Sequence, residues 1–403
     1  MLSREPTRTA WLVLWGAFII FLLLCALVPY GTYSYLLYAT TAKAATLEVI
    51  SGTMRVREPG SAAPIAVTRA LELAEGSTVE TDENSRGIIT LLDGSTLILF
   101  PGTQLVLREL RVPSFDWGVE PIRMAIDLSR GRIRAAAGHP LLPGEANARE
   151  RIFRVRTAQA SASLTEGSYA IEVTSEGTQI TVRDGTASVF ALERTVKVGR
   201  GQRTVIRNEE PPLPPLPAAQ DIIINGDFKD PRSRGWNDWV EIPNPPNAPA
   251  GSLSNPTIDN RVVLRIQRSS SNQTSAITGV IQQINREVSD YRSLRVVADV
   301  RVRAQNLSGG GILSSEYPMI LRVKYRDVYG SEAEWVHGFY FQNLTNNPTN
   351  NGELVPQDVW IPFESKNLFE TLEPRPFFIT AFQIYASGWD YEAYVTGVRL
   401  IVE

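Results

Sequence analysis

Hydrophobic positions follow three successive patterns along the chain. From Trp11 to Val28 (WLVLWGAFIIFLLLCALV) they are nearly continuous, from Thr46 to Asn208 they come in short alternating runs broken by turns, and beyond a proline-dense interruption the alternation resumes. A continuous run close to the roughly 20 residues that cross a bilayer predicts a transmembrane helix. Period-two alternation predicts strands with one buried face. The expected fold is therefore mostly β, with one N-terminal transmembrane helix ahead of two β-rich domains.

The flanks of the first run refine its reading. No charge occurs from Ala10 to Ala42; Trp11 and Trp15 mark one end of the run, and Tyr30, Tyr33, Tyr35 and Tyr38 mark the other. Amphipathic rings favour the two membrane–water interfaces. Arg4 and Arg8 precede the run and only Lys43 follows closely, so the positive-inside rule puts residues 1–9 in the cytoplasm as a short tail, 10–38 in the membrane and its outer interface, and the rest outside. A cleaved signal peptide is the competing reading, since Ala42-Lys43-Ala44 has a small-x-small form. The apolar run exceeds the usual signal core of about 7–15 residues, which favours an uncleaved anchor. In Leu22-Leu23-Leu24-Cys25 a large leucine stands where a lipoprotein site needs a small residue, so Cys25 reads as apolar filler.

Strands are expected over residues 47–50, 87–92, 96–100 and 169–173, with turns at Ser51-Gly52, Asp93-Gly94, Glu176-Gly177 and Asp184-Gly185. A glycine followed by alternating apolar positions recurs at Gly52, Gly94, Gly131 and Gly185, each reading as a turn that leads into a strand. Residues 209–220, with the run PPLPPLP, predict an extended polyproline spacer between domains at 46–208 and 221–403. In the second domain Leu321, Val323 and Tyr325 alternate with Arg322, Lys324 and Arg326, the pattern of an antiparallel sandwich with one wet face.

Composition narrows the functional classes. With 403 residues, 43% hydrophobic and 21% charged, the chain can build two ordinary cores, and a net charge of -3 offers no field for nucleic acid. Cys25 is the only cysteine, so no internal disulfide forms, a usage common in exported bacterial proteins. His139 and His337 are the only histidines, too few for a histidine zinc site and poor material for a Ser/His/Asp triad.

An ordered set of motifs resembles the FecR-type domain of bacterial envelope proteins. It runs from Gly52-Thr53-Met54-Arg55-Val56 through LAEGSTVET (Leu73 to Thr81), Leu92-Asp93-Gly94-Ser95-Thr96-Leu97 and Leu128-Ser129-Arg130-Gly131-Arg132-Ile133. Val155-Arg156-Thr157-Ala158-Gln159-Ala160, Glu166-Gly167-Ser168-Tyr169-Ala170, Asp184-Gly185-Thr186-Ala187 and Gly199-Arg200-Gly201-Gln202 complete it, covering about residues 47–207. The best-known FecR proteins pass an outer signal to a cytoplasmic sigma factor. Here Met1 to Thr9 is too short to bury the roughly 800 Å² per partner of a standard interface, so direct sigma-factor contact is disfavoured and a separate membrane partner would have to relay a signal. Residues 221–403, opening on Asn225-Gly226-Asp227-Phe228 and Gly235-Trp236, resemble galactose-binding-like jelly rolls, which include many carbohydrate-binding modules. Members with a structural calcium often carry an acidic residue after the phenylalanine and paired aspartates in the last strand; Lys229 and Thr396-Gly397 depart from that pattern, which counts against a calcium site, and no metal-ligating residues and no cofactor are assigned.

Sugar recognition needs aromatic rings and planar polar groups. The second domain supplies Trp236, Trp239, Trp335, Tyr340, Trp360, Tyr385 and Trp389. Strand alternation puts Trp335, His337, Phe339 and Phe341 on one face, read as core, and Val336 and Tyr340 on the other. Trp236 reads as packing, which leaves Arg322, Lys324, Tyr340 and Tyr385 as ligand-binding candidates. Asp390 and Glu392 read as solvated loop charge and His139 as a surface-turn residue. With no phosphate loop, zinc spacing or nucleophile elbow, the expectation is a non-enzymatic binding or scaffold protein on the outer side of the cell membrane. Its expected partners are the bilayer and a glycan, envelope polymer or envelope protein; the alternative is a FecR-like signalling subunit, while an envelope glycosidase has little support.

Overall fold

The computed structural model describes residues 6–139, 149–241 and 248–403, so the first five residues of the expected tail, Arg4 among them, lie outside the described residues. The apolar run forms one helix, Pro6–Tyr38, 33 residues long. Proline suits a first helical position, where the missing N–H would find no partner anyway. Leu12, Trp15, Phe18, Ile20, Leu22 and Leu24 all stand exposed, on every side of the helix. With its apolar surface exposed all round over this run, the helix is long and apolar enough to cross a membrane. It continues past Pro29 for two further turns, with Thr32 Oγ1 donating to the Val28 carbonyl at 2.8 Å.

The chain divides into two compact units, Met1–Ala218 and Ala219–Glu403. In the first, strand pairings close into a barrel of two sheets. Both sheets share the strand Ile122–Ala137, which pairs with Gln104–Pro113 in its first half and with Gly167–Val173 and Thr96–Leu99 in its second. The change of sheet occurs at Gly131, where φ is +85° and a Cβ would stand 2.5 Å from Thr103 Cα. The recurring glycine unit is therefore of two kinds. Gly52, Gly94 and Gly185 take positive φ in turns ahead of Met54–Arg57, Thr96–Leu99 and Ala187–Ala191, whereas Gly131 bends one long strand from the inside. Inward residues such as Leu47, Leu97, Ile133, Ile171 and Val182 make one core.

The proline run is not a free spacer. Leu213 N donates to Val205 O, Leu216–Pro217 pairs with Gln202–Arg203, and Ala218 N donates to Gly201 O. An edge position accommodates proline because donors are needed only at intervals. The non-proline residues Leu213 and Ala218 supply them, so the segment is laid along the last strand of the first unit.

The second unit is a sandwich. One sheet has the order Ser252–Ser254, Leu264–Arg268, Tyr391–Val402, Leu294–Gln305, Ile361–Glu364, with Gln220–Asp221 also on Tyr391–Val402. The other runs Asn237–Val240, Ala276–Glu287, Phe378–Gly388, Met319–Arg326, Glu332–Tyr340, Gly352–Leu354. Leu321, Val323, Tyr325, Phe339 and Phe382 face inward onto Val296, Val300 and Leu400. The outer face of the second sheet is only partly wet, because Tyr317, Ile320, Tyr340 and Tyr385 form a separate buried cluster there. The Tyr317 ring occupies the space left by three glycines: Cβ atoms at Gly310, Gly338 and Gly352 would each come within 2.7 Å of it. Segments far apart in sequence are thereby packed over one end of the face.

Candidate ligand-binding face

Strand register decides which side chains meet on that outer face. One row across it is Trp239, Gly279, Tyr385, Ile320 and Gly338. The next is Asn237, Ile281, Gln383, Arg322 and Val336, and a third holds Gln283, Ala381, Lys324 and Glu334. Gly279 matters because a Cβ there would stand 2.4 Å from Tyr385 Cβ. The missing side chain lets the Trp239 and Tyr385 rings meet edge to face, with centroids 5.2 Å apart.

Tyr385 is 2% exposed and Tyr340 is also buried, so neither ring of these two expected binding residues offers a face to a ligand. Tyr385 instead positions Arg322. The guanidinium lies over its ring at 4.6 Å, donates from Nη2 to its hydroxyl, and approaches Gln383 Oε1 at 3.4 Å from Nη1. Burial pushes the Tyr385 phenol up to about 12 against the opposing pull of Arg322, so it stays neutral at physiological pH. Arg322 Nε is buried and ion-pairs with Glu334 Oε2 at 3.6 Å, just beyond hydrogen-bond reach. Lys324 lies one row on, half-buried. Glu334 and Val336 also line a cleft of about 380 Å³ together with Asn350 and Asn351. Trp239 and Gln383 join Arg322 only through strand register, although a glycine in an alternating strand marks a close approach in the sequence.

The opposite sheet carries a second aromatic–arginine group, whose guanidinium is held between two carboxylates. Arg301 donates to Asp358 at 2.8 Å and Asp259 at 2.9 Å beside Trp360. Asp390 and Glu392 are not the solvated charges expected. Asp390 accepts from Ser271 N at 2.8 Å and Asn306 Nδ2 at 3.1 Å, and Glu392, 12% exposed, accepts from Arg265 at 2.9 Å and from the Tyr394 hydroxyl. The tight turn between Gly388 and Tyr391 brings both within reach of neighbouring strands. Among the described residues no three His, Cys, Asp or Glu side chains gather as metal ligands.

His139 is exposed, 3.1 Å from Glu166 Oε2. His337 packs among Trp335, Phe339 and Phe363, with its Nε2 3.0 Å from Glu353. Burial there pushes its imidazole below the ordinary value, and Glu353 only partly opposes this. The unfolded chain then binds the proton more readily, so this contribution to stability is fully present above about pH 6.5 and is lost as pH falls through the lowered folded value. Thermal unfolding of the second unit between pH 7 and pH 5 is expected to fall more steeply in the native chain than in His337→Gln; equal slopes would refute the assignment.

Comparison with known proteins bears on the first unit. Residues 77–188 match the family model described as FecR protein. No curated protein matches the chain. A candidate anti-sigma factor from Parabacteroides distasonis shares 18% identity over 34% of this chain and 57% of its own, at a TM-score of 0.26. The family 11 carbohydrate-binding module of a cellulosomal cellulase from Clostridium thermocellum shares 10% identity over 46% of this chain and 95% of its own, at 0.27. A module of family 28, specific for non-crystalline cellulose, shares 12% over 44% and 93%, at 0.26. Behind an apolar N-terminal helix, the strand-rich first unit carries a FecR domain.

Proposed function

We propose that the chain is a single-pass membrane protein, N-terminus inward, whose extracytoplasmic part binds a partner without catalysing a reaction, and that the second unit holds an envelope glycan on the face of Trp239 and Arg322. The observation that carries this reading is a guanidinium fixed by a buried tyrosine beside a partly exposed indole. Planar polar groups next to an aromatic edge suit hydroxyl-rich ligands, which bury little apolar surface of their own. Binding without catalysis is supported by the histidines, since His139 pairs on the surface and His337 belongs to an aromatic core.

The full chain in nanodiscs is expected to retain a soluble cell-envelope polysaccharide, and Arg322→Ala and Trp239→Ala are each expected to weaken retention by about tenfold or more. Retention unchanged in both variants would remove this face from the reading. A second reading follows from the FecR match over 77–188: relay of an outer signal through a separate membrane partner. It gains if no polysaccharide is retained and the chain's gene adjoins that of an extracytoplasmic sigma factor.

A further inference from the structure

The helix does not pass into a flexible tether at its outer end. Ala39 N closes the last turn on Tyr35 O, and Thr40–Ala42 at once pairs with Arg111–Pro113. The loop that follows, residues 113–120 (PSFDWGVE), folds back against the helix end. Ser114 N donates to Ala39 O at 2.9 Å, Val119 N to Leu37 O at 3.0 Å, and Thr41 Oγ1 and Ser114 Oγ share a hydrogen bond of 2.7 Å. Phe115 meets Tyr35 edge to face at 6.0 Å and stacks on Trp117 at 5.8 Å with planes 3° apart. Arg149 braces the loop from behind by donating to the carbonyls of Asp116 and Gly118 at 2.8 and 3.2 Å. Thus ordered, the loop nevertheless leaves Trp117 62% and Val119 60% exposed.

The depth of this apolar tip follows from helix geometry. From Trp11 to Leu37 the helix rises about 39 Å, while a bilayer with its headgroup layers is about 40–45 Å thick. With Trp11 at the inner interface, Leu37 and the loop bonded to it fall in the outer headgroup layer, and any tilt draws them deeper. That is the level at which indole and phenol rings are favoured, and the tyrosines of the helix end already stand there. The loop's acids do not oppose this: Glu120 pairs with Arg123, and Asp116 is next to the carbonyl contacts of Arg149.

We propose that loop 113–120 is a lipid-docking element, with Trp117, Phe115 and Val119 seated in the outer headgroup layer of the bilayer that the helix crosses. The first unit then stands on the membrane surface. This rests on the transmembrane reading of the helix, and the test separates the two. The full chain with Cys25→Ala, which removes its only thiol, is labelled with an environment-sensitive dye at Val28→Cys, Val119→Cys or Trp117→Cys and placed in phosphatidylcholine nanodiscs. Either loop label is expected to be blue-shifted and to lose at least half its emission to lipid carrying a shallow doxyl group, as the Val28 label also does. Quenching at Val28 with both loop labels open to iodide and untouched by doxyl lipid overturns the docking proposal and leaves the anchor standing. No doxyl quenching at Val28 overturns the anchor and the docking together.

Discussion

Replacing Arg151 with alanine is expected to destabilise the first unit by about 3–5 kcal/mol, because it strands a buried carboxylate. Arg151 is 4% exposed at its side chain and its partner Asp93 is 0% exposed. Its Nη1 donates to Asp93 Oδ2 at 2.8 Å, to Gly138 O at 2.6 Å and to Ser95 Oγ at 3.3 Å, while Asp93 Oδ1 accepts from Ser95 N at 2.9 Å. One guanidinium thus fastens the Asp93-Gly94 turn to the strand Arg151–Arg156 and to the end of Ile122–Ala137. The pair Arg156–Asp127 is equally short at 2.8 Å but 47% and 25% exposed, and Arg156→Ala is expected to change stability by less than about 1 kcal/mol. Urea-dependent hydrogen exchange of the full chain, read over Thr96–Leu99 and Arg151–Arg156, distinguishes the two. A loss below about 1 kcal/mol in Arg151→Ala would show that water reaches the pair. The double replacement Asp93→Asn with Arg151→Met is expected to cost less than the single one, since it leaves no uncompensated charge.

Sequence pattern alone disclosed what depends on local alternation. The helix, the inward set Leu321, Val323 and Tyr325, and the inward Trp335 and Phe339 all follow from spacing within one segment, and the structure has them so. The FecR resemblance was legible for a related reason, because several of its motifs hold a glycine, Gly52, Gly76, Gly94 and Gly185 among them, that takes positive φ in the fold. Features that depend on partners distant in sequence were hidden. Nothing within PPLPPLP announces that Leu213 and Ala218 would donate to the neighbouring strand. Tyr340 reads as an outward residue, as it is, and Tyr385 as a ligand contact, yet both are buried where Tyr317 packs over the same face in the hollow left by Gly310, Gly338 and Gly352. The candidate site was therefore half legible. Arg322 came from strand alternation, but Trp239 and Gln383 required the register across four strands, and the positioning role of Tyr385 required its burial.

Trp236→Ala is expected to remove about 3–5 kcal/mol from the second unit, while Trp239→Ala, three residues on, weakens ligand retention and leaves most of that stability in place. The contrast follows from the turn that opens the unit. Trp236 is 2% exposed, packs on Phe228 at 5.7 Å and Phe382 at 6.3 Å, and donates from Nε1 to Asn225 O at 3.1 Å. Asn225 and Phe228 both have φ of 54°, a costly conformation for a phenylalanine, and between them Gly226 passes so close to the last strand that a Cβ would stand 1.9 Å from Val398 O. The indole holds this turn from inside, so its loss opens a cavity and releases the restraint on Phe228 together. Trp236→Phe keeps a ring but no donor, and its expected cost is smaller, about 1–2 kcal/mol. Chemical denaturation of the full chain, paired with polysaccharide retention, measures both residues. Equal stability losses at Trp236 and Trp239 would make Trp239 a core residue and take the aromatic half of the candidate face away; stability lost only at Trp236, with retention lost at Trp239, separates the residue that builds the sheet from the one that uses it.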